Sequence, residues 1–133
     1  MLKYTHSHEW IQVRDDEIGI VGLSLYVQKE LSEVVYIDLP KVGRVVCADE
    51  AVAVLESTKA AIDIYTPVSG LITRVHSDLQ ATPSLIHQWN KREEGWLFEI
   101  ELHSPAELLP LLSPEEYAYL SRPSKGRDET FRS

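Results

Sequence analysis

The hydrophobic positions of this chain follow a period of two over many short segments. Apolar residues alternate with polar ones or form short β-branched runs, and glycine, proline or acidic residues separate the segments. This pattern is typical of β-strands joined by turns. It predicts strands over residues 10–14, 18–23, 34–39, 45–48, 51–55, 62–65, 71–75 and 95–102.

Helix signals are fewer and shorter. Ser24 is a predicted N-cap for a helix over residues 25–31, and residues 77–81 are predicted to form one helical turn. Ser104 and Ser113 each precede a proline and acidic residues, a combination that starts helices, here over 105–109 and 114–120. We therefore expect a mainly β fold: a sandwich of two antiparallel sheets, in the form of a flattened barrel, with short helices and a C-terminal helical cap.

Length and composition indicate one globular unit. A chain of 133 residues is long enough for a single core, and at this size folding buries roughly two-thirds of the extended chain's surface. Its 44% hydrophobic and 26% charged residues are typical of a soluble globular protein. Apolar periodicity is lost after Ser121. We expect one domain over residues 1–120 and a flexible tail over 121–133.

Charge and apolar run length argue against nucleic-acid and membrane partners. The formal net charge is −8, whereas proteins that bind a phosphate backbone concentrate lysine and arginine. Charge or proline interrupts every apolar run before the ~20 residues that a membrane span needs. The first residues also lack the apolar segment of a secretory signal. We expect a cytoplasmic protein that docks on basic partner surfaces.

The single cysteine, Cys47, cannot form an intramolecular disulfide, so the fold must hold by packing, as in a reducing compartment. Cys47 follows Val45 and Val46 in a predicted strand. No neighbouring feature would lower the pKa of its thiol, so we expect a small core residue and not a nucleophile.

The candidate chemistry lies at Lys59, between two strand-like segments. A turn selected only to reverse the chain would favour Asn-Gly or Asp-Gly, and this one has neither. Its neighbours Ser57, Thr58 and Ala60 are all short, so another protein could approach the amine. The pattern predicts a lysine presented for enzymatic modification. The alternative is an ordinary solvated lysine, which is the common state of this residue.

His6, His8 and Glu9 are the only grouping that resembles a metal cluster, and no further spacing completes a ligand set. We expect His8 and Glu9 to form hydrogen bonds near a sheet edge while Trp10 packs in the core. The sequence contains no arguable Ser-His-Asp or Cys-His arrangement, so no catalytic residue and no metal site are predicted.

Several ordered blocks of this chain resemble the glycine cleavage system H-protein family, and the resemblance covers about residues 3–120. The blocks are His8-Glu9-Trp10, Gly22-Leu23-Ser24, residues 34–40 with Val42-Gly43, Glu56-Ser57-Thr58-Lys59-Ala60, Asp63-Ile64-Tyr65, Pro67-Val68-Ser69-Gly70 and Gly95-Trp96. Their order and spacing together are specific to the family, which has the fold of lipoyl and biotinyl carriers.

The resemblance implies a lipoyl carrier and not an enzyme, with lipoate joined through an amide to Lys59 within the lipoylation motif Glu56, Ser57, Thr58 and Ala60. The arm would collect an aminomethyl group at a pyridoxal-phosphate glycine decarboxylase and deliver it to a tetrahydrofolate-dependent aminomethyltransferase. A flavin-containing dihydrolipoyl dehydrogenase would reoxidise it, and a lipoyl-attaching enzyme would install it. A monomer is expected.

The resemblance also implies a surface cleft that shields the loaded arm from water. Ser7, Glu9 and Asp63 match the polar contacts of that cleft.

The chain departs from the usual family pattern at several positions. His76 and His87 replace asparagine, Leu25 replaces an acid, Ser32-Glu33 replaces a glycine-acid pair, and residues 88–94 contain one extra residue. A second hypothesis is therefore an H-protein-like lipoyl carrier that serves another lipoate-dependent or lipoate-relay system.

The state of the lysine itself also allows two further hypotheses. A biotin carrier would have methionine on both sides of it, where this chain has Thr58 and Ala60. A structural module would leave Lys59 unmodified.

Overall fold

A computed structural model describes residues 1–15 and 17–121. Over these residues the chain forms two antiparallel sheets with short helices, which confirms the predicted sandwich. The sheets remain separate and do not close into a barrel. The expected tail lies outside the described residues from position 122 onward. None of the helices in the described part has the length and hydropathy of a membrane span.

The larger sheet contains six of the strands that the structure describes. In spatial order these are β1 (Leu2–Tyr4), β2 (Glu9–Arg14), β3 (Ile18–Leu23), β9 (Trp96–Leu102), β8 (Gly70–Val75) and β5 (Val45–Val46). The smaller sheet consists of β4 (Val34–Asp38), β6 (Ala51–Ser57) and β7 (Ala61–Tyr65).

The core fills the space between the two sheets. The inward positions of each strand are apolar, as the period-two pattern requires. Fully burying one such side chain contributes about 1.5–3 kcal/mol, so the stacked sheets account for most of the hydrophobic stabilisation. Core residues from the larger sheet include Ile11, Val21, Ile72, Phe98 and Ile100, and those from the smaller sheet include Ile37, Leu55 and Ile64.

Cys47 does not belong to the core, which corrects the sequence-based expectation. Strand β5 ends at Val46, and Cys47 is exposed. The next residues form a turn in which the Glu50 amide donates to the Cys47 carbonyl at 3.0 Å, and Asp49 has a φ of 68°. The Cys47 amide also donates to the Glu50 carboxylate at 3.0 Å. The turn begins two residues earlier than the apolar run suggests, so the thiol lies at the surface.

Strand β1 was not predicted, because three residues carry too little periodicity. It pairs with β2, and Tyr4 forms an isolated bridge with Leu112. The Tyr4 ring stacks on Tyr117 with 4.1 Å between centroids. The predicted C-terminal helical cap is thereby held against the edge of the larger sheet.

Three helices are α1 (Leu25–Glu30), α2 (Ser77–Ala81) and α3 (Pro114–Ser121), and each lies where the sequence predicted one. The predicted N-cap of α1 is present, because the Ser24 hydroxyl accepts the Val27 amide at 3.4 Å. At α3, the Ser113 hydroxyl accepts the Glu116 amide at 3.1 Å, and the Glu116 carboxylate accepts the Ser113 amide at 2.8 Å. This reciprocal arrangement is a capping box.

The predicted cap at Ser104 is not formed. Residues Pro105–Leu108 make a 3₁₀-helix, and the Ser104 side chain makes no capping hydrogen bond to it. Its backbone is extended, and the segment is too short to become an α-helix.

The two histidines at which the chain departs from the family pattern both make structural hydrogen bonds. His76 Nδ1 accepts the Leu79 amide at 3.3 Å and so caps α2. Burial lowers the pKa of His76, which favours the neutral ring that this bond needs. His87 lies in a 3₁₀-helix (Pro83–Gln88), and its Nε2 accepts the Val34 amide at 2.9 Å. A second 3₁₀-helix, Arg92–Gly95, leads into β9.

Gly22 generates a stability prediction. It lies in β3 between Trp10 and Trp96, and an added Cβ would overlap the Gly95 carbonyl oxygen and lie 2.5 Å from the Trp10 ring. Because the nearest atom belongs to the backbone, the strand itself would have to shift. We expect Gly22→Ala to lower the free energy of unfolding by about 1–3 kcal/mol, measured by urea denaturation. An unchanged midpoint would contradict this packing.

Candidate functional site

Strands β6 and β7 form the predicted hairpin, with Lys59 in the turn that joins them. The register pairs Glu56 with Ala61 and Leu55 with Ile62. Leu55 and Ile64 are fully buried, so the base of the hairpin is part of the core. Lys59 is exposed, as predicted.

The Ser57 side chain organises the turn. Its hydroxyl accepts the Lys59 amide at 3.2 Å and the Ala60 amide at 3.1 Å, and the Ser57 amide donates to the Ala60 carbonyl at 2.8 Å. Serine hydroxyls can satisfy turn amides in this way. Among the described residues, those with positive φ all lie outside this turn. The reversal therefore needs neither asparagine nor glycine.

Thr58 fastens the tip to the segment that follows α1. Its amide donates to the Glu33 carbonyl at 2.9 Å, and its hydroxyl donates to the Ser32 hydroxyl at 3.4 Å. The turn is thus held both internally and from outside, while the Lys59 side chain extends away from it.

The amine of Lys59 is accessible from several directions. Thr58 and Ala60 on either side of it are exposed and short. Lys59 forms no ion pair with any residue in the described ranges. Glu56 is also exposed, opposite Tyr36 of β4 in the register. The structure therefore brings the five motif residues together at one end of the smaller sheet.

Glu9 is buried and connects two parts of the molecule. One carboxylate oxygen accepts the Thr5 and Ser7 hydroxyls, both at 2.5 Å, and the other accepts the Tyr65 amide at 3.0 Å. Only 1% of Glu9 is exposed, and these three donors take the place of water around the carboxylate. The loop that carries Ser7 is thereby joined to the last residue of β7.

Asp63 occupies a different position from the other two predicted cleft residues. It is exposed on β7, two residues from Tyr65, which places it about 7 Å along the strand from the amide that Glu9 holds. Its carboxylate has no hydrogen-bond or ion-pair partner within the described part of the chain. Ser7 and Glu9 are in contact with each other, and Asp63 contacts neither.

His8 supports this loop, a role that the sequence did not indicate in detail. Its Nδ1 lies 2.8 Å from the Tyr117 hydroxyl, which donates to the Ser24 hydroxyl at 2.7 Å. The ring also stacks on Tyr26 with centroids 4.8 Å apart. Burial lowers the pKa of His8, and its φ of 74° turns the chain just before β2. The contact with Tyr117 spans 109 residues, so no local sequence signal could have revealed it.

The histidines near the N-terminus do not assemble a metal site. Within residues 1–15 and 17–121, no group of three or more His, Cys, Asp or Glu side chains has a geometry that could hold a metal ion.

Comparison with known proteins gives consistent results. The family model described as "Glycine cleavage H-protein" matches residues 2–123. The "Glycine cleavage system H protein" of Thermotoga maritima is 44% identical over 117 residues, covering 88% of this chain and 93% of that protein. The protein of the same name from Carboxydothermus hydrogenoformans is 43% identical over 119 residues, covering 90% of each.

A solved structure shows the same fold. The crystal structure of a glycine cleavage system H protein from Mycobacterium marinum superposes with a TM-score of 0.79 at 31% identity, covering 90% of this chain and 94% of the other.

The role of Ser57 can be tested by amide exchange. Replacing Ser57 with Ala removes the acceptor shared by the Lys59 and Ala60 amides, at a local cost of about 1 kcal/mol. We expect both amides to exchange roughly fivefold faster in NMR measurements. Thr58→Val is the matched control, because it removes a hydroxyl from the same turn but leaves those two bonds intact. Equal rates in the two variants would show that the Ser57 hydroxyl does not hold the turn.

Proposed function

Since the chain belongs to the glycine cleavage H-protein family, the lipoyl carriers of the glycine cleavage system, we propose that it carries its lipoyl group on Nζ of Lys59. The observation that supports this most directly is the geometry of the hairpin tip. Lys59 is exposed and without an ion pair in the described residues, on a turn that Ser57 and Thr58 hold in place.

The residues present suit an acyl group on this amine. Forming an amide removes the lysine charge, which would be costly if the charge stabilised the fold. No described contact of the fold depends on that charge, because Lys59 is exposed and has no carboxylate partner in the described part. Modification should leave the hairpin unchanged.

The bound lipoyl group would supply a reducible disulfide that carries an aminomethyl group between active sites. The chain contributes position: a fixed hairpin base, a fixed turn and one flexible side chain. Tethering raises the local concentration of the cargo at each docked partner. The partners we propose are a pyridoxal-phosphate glycine decarboxylase, an aminomethyltransferase, dihydrolipoyl dehydrogenase and a lipoyl-attaching enzyme, each meeting a monomeric carrier. Catalysis belongs to these partners.

The lipoyl-attaching enzyme would recognise the tip by its shape. Glu56, Ser57, Thr58 and Ala60 surround Lys59 on a turn whose backbone is held by four hydrogen bonds to described residues. A partner can therefore meet a preformed epitope and need not order a flexible loop.

Ser7, Glu9 and Asp63 would take different roles in sheltering the loaded arm. Glu9 already accepts three hydrogen bonds, so its main contribution is to hold Ser7 and β7 together. Asp63 has a solvent-facing carboxylate on the same strand, and it is the group available to the end of the arm. A carboxylate beside an amine in transit would slow its loss to water.

The names of the relatives favour glycine cleavage over another lipoate-dependent system. The decisive measurement is functional. With a glycine decarboxylase partner, the lipoylated protein should support glycine-dependent bicarbonate exchange. Absence of exchange with a fully lipoylated carrier would favour a role in a different lipoate-dependent system.

The attachment site is tested by Lys59→Arg, which keeps the charge but removes the amine that can be acylated. After expression in a lipoylating host, the wild-type protein should gain the mass of one lipoyl amide, and the variant should gain none and lose bicarbonate exchange. Lys41→Arg is the control, because Lys41 is another exposed lysine in a turn. A lipoyl mass on the Lys59→Arg protein, or a biotin mass on the wild type, would refute the proposal.

The sheltering role is tested by Asp63→Asn. Losing one hydrogen bond to a charged group corresponds to about a tenfold change, so we expect the aminomethyl-loaded carrier to lose its cargo about ten times faster, followed by mass spectrometry. The matched control is Asp38→Asn. Asp38 is exposed in the same cross-strand row, on the far side of Val54 from Asp63. Equal lifetimes in both variants would exclude a specific role for Asp63.

A further inference from the structure

Three of the four arginines in the described part of the chain lie around one groove on the outer face of the larger sheet. The outward positions of β2 are Trp10, Gln12 and Arg14, because Ile11 and Val13 point into the core. The groove has a volume of about 360 Å³. It is lined by Trp10, Gln12, Ile20, Arg74, Arg92, Glu93 and Trp96.

Cross-strand register builds this groove. Gly22 lies between Trp10 and Trp96, and the Trp10 ring covers it. The next outward row runs from Gln12 through Ile20 and Glu99 to Arg74. The floor is therefore apolar and aromatic, and arginine side chains form the rim.

Two of the arginines are held flat against indole rings. The Arg92 guanidinium lies 5.1 Å from the Trp10 ring centroid, and that of Arg74 lies 4.6 Å from the Trp96 centroid. Such cation–π contacts fix the orientation of a guanidinium without using its N–H donors. Arg92 has no ion pair with another described residue.

Glu99 neutralises the remaining arginines only in part. A single carboxylate oxygen lies 3.7 Å from Arg14 and 3.6 Å from Arg74, and each arginine uses one nitrogen for this contact. The other oxygen accepts the Thr73 hydroxyl at 2.9 Å. Arginine carries five N–H donors in a planar fork, so most donors on Arg14 and Arg74 remain available for a second carboxylate.

The charge of this face contrasts with the rest of the protein. The whole chain carries a formal net charge of −8, and the outer face of the smaller sheet exposes Asp38, Glu56 and Asp63. The groove belongs to the opposite sheet from the lysine hairpin, with the core between them. An occupant of the groove would leave Lys59 accessible.

We propose that this groove docks an extended, acidic segment of a partner protein. Same-face rows of a strand are about 7 Å apart, so Arg92 over Trp10, Arg74 in the next row and Arg14 in the row beyond span about 13 Å. An extended peptide presents alternate side chains at the same interval. Carboxylates at alternate positions match three arginines, whereas a single small anion reaches only one or two of them. Apolar side chains between the carboxylates fit the floor around Ile20 and Trp96.

The probe is the blocked peptide Glu-Ile-Glu-Phe-Glu, titrated into the lipoylated full-length protein at low salt and followed by amide NMR. We expect shifts at Gln12, Ile20 and Arg74 and none at residues 57–61 of the hairpin. Arg74→Gln and Arg92→Gln should each weaken binding about tenfold, as expected for loss of a charge-assisted contact. Arg44→Gln removes the same charge at a site paired with Glu50, and it should weaken binding less than twofold.

Several results would overturn the proposal. Equal weakening by Arg44→Gln would mean that only net charge matters. Equal binding of Lys-Ile-Lys-Phe-Lys would remove the charge argument. Displacement of the peptide by equimolar citrate would indicate a site for small anions. Sedimentation showing a dimer that Arg74→Gln dissociates would make a second copy of this chain the occupant.

Discussion

A buried carboxylate, that of Glu9, links the lysine hairpin to the rest of the molecule. It accepts hydrogen bonds from Thr5, Ser7 and the backbone of Tyr65. A charge at this depth would be costly without compensating donors, and removing it would leave the Tyr65 amide without its acceptor. The first residues of the larger sheet and the last residue of the hairpin thus hold a fixed relation.

This link explains how one exposed side chain can serve as a carrier. Strands β6 and β7 are rigid at their base because Leu55 and Ile64 are buried, and Ser57 and Thr58 hold the turn. Movement is confined to the side chain of Lys59 and whatever it carries. A carrier needs both properties, since partners must recognise a constant shape while the cargo moves between them.

The two outer faces of the sandwich differ in charge and therefore in the partners they suit. The smaller sheet presents Asp38, Glu56 and Asp63 around the hairpin, whereas the larger sheet presents Arg14, Arg74 and Arg92. Because the core separates them, the two faces can be occupied at once. Recognition of the lysine and anchoring of the carrier become separate tasks for separate sheets.

Local pattern in the sequence determined most of the strands, the hairpin, the helix starts at Ser24 and Ser113, and the candidate lysine, because each depends on residues close together in the chain. Local signals failed where a distant contact or a turn decided the outcome. Cys47 was placed in the core because its apolar neighbours suggested a longer strand, and Ser104 was assigned a cap that its extended backbone does not make.

Only the tertiary structure decided the rest. The pairing of Glu9 with Tyr65, of His8 with Tyr117 and of Trp10 with Arg92 joins residues more than fifty positions apart. Such contacts depend on how the sheets stack, and no spacing along a single chain encodes them in a form that can be recognised locally.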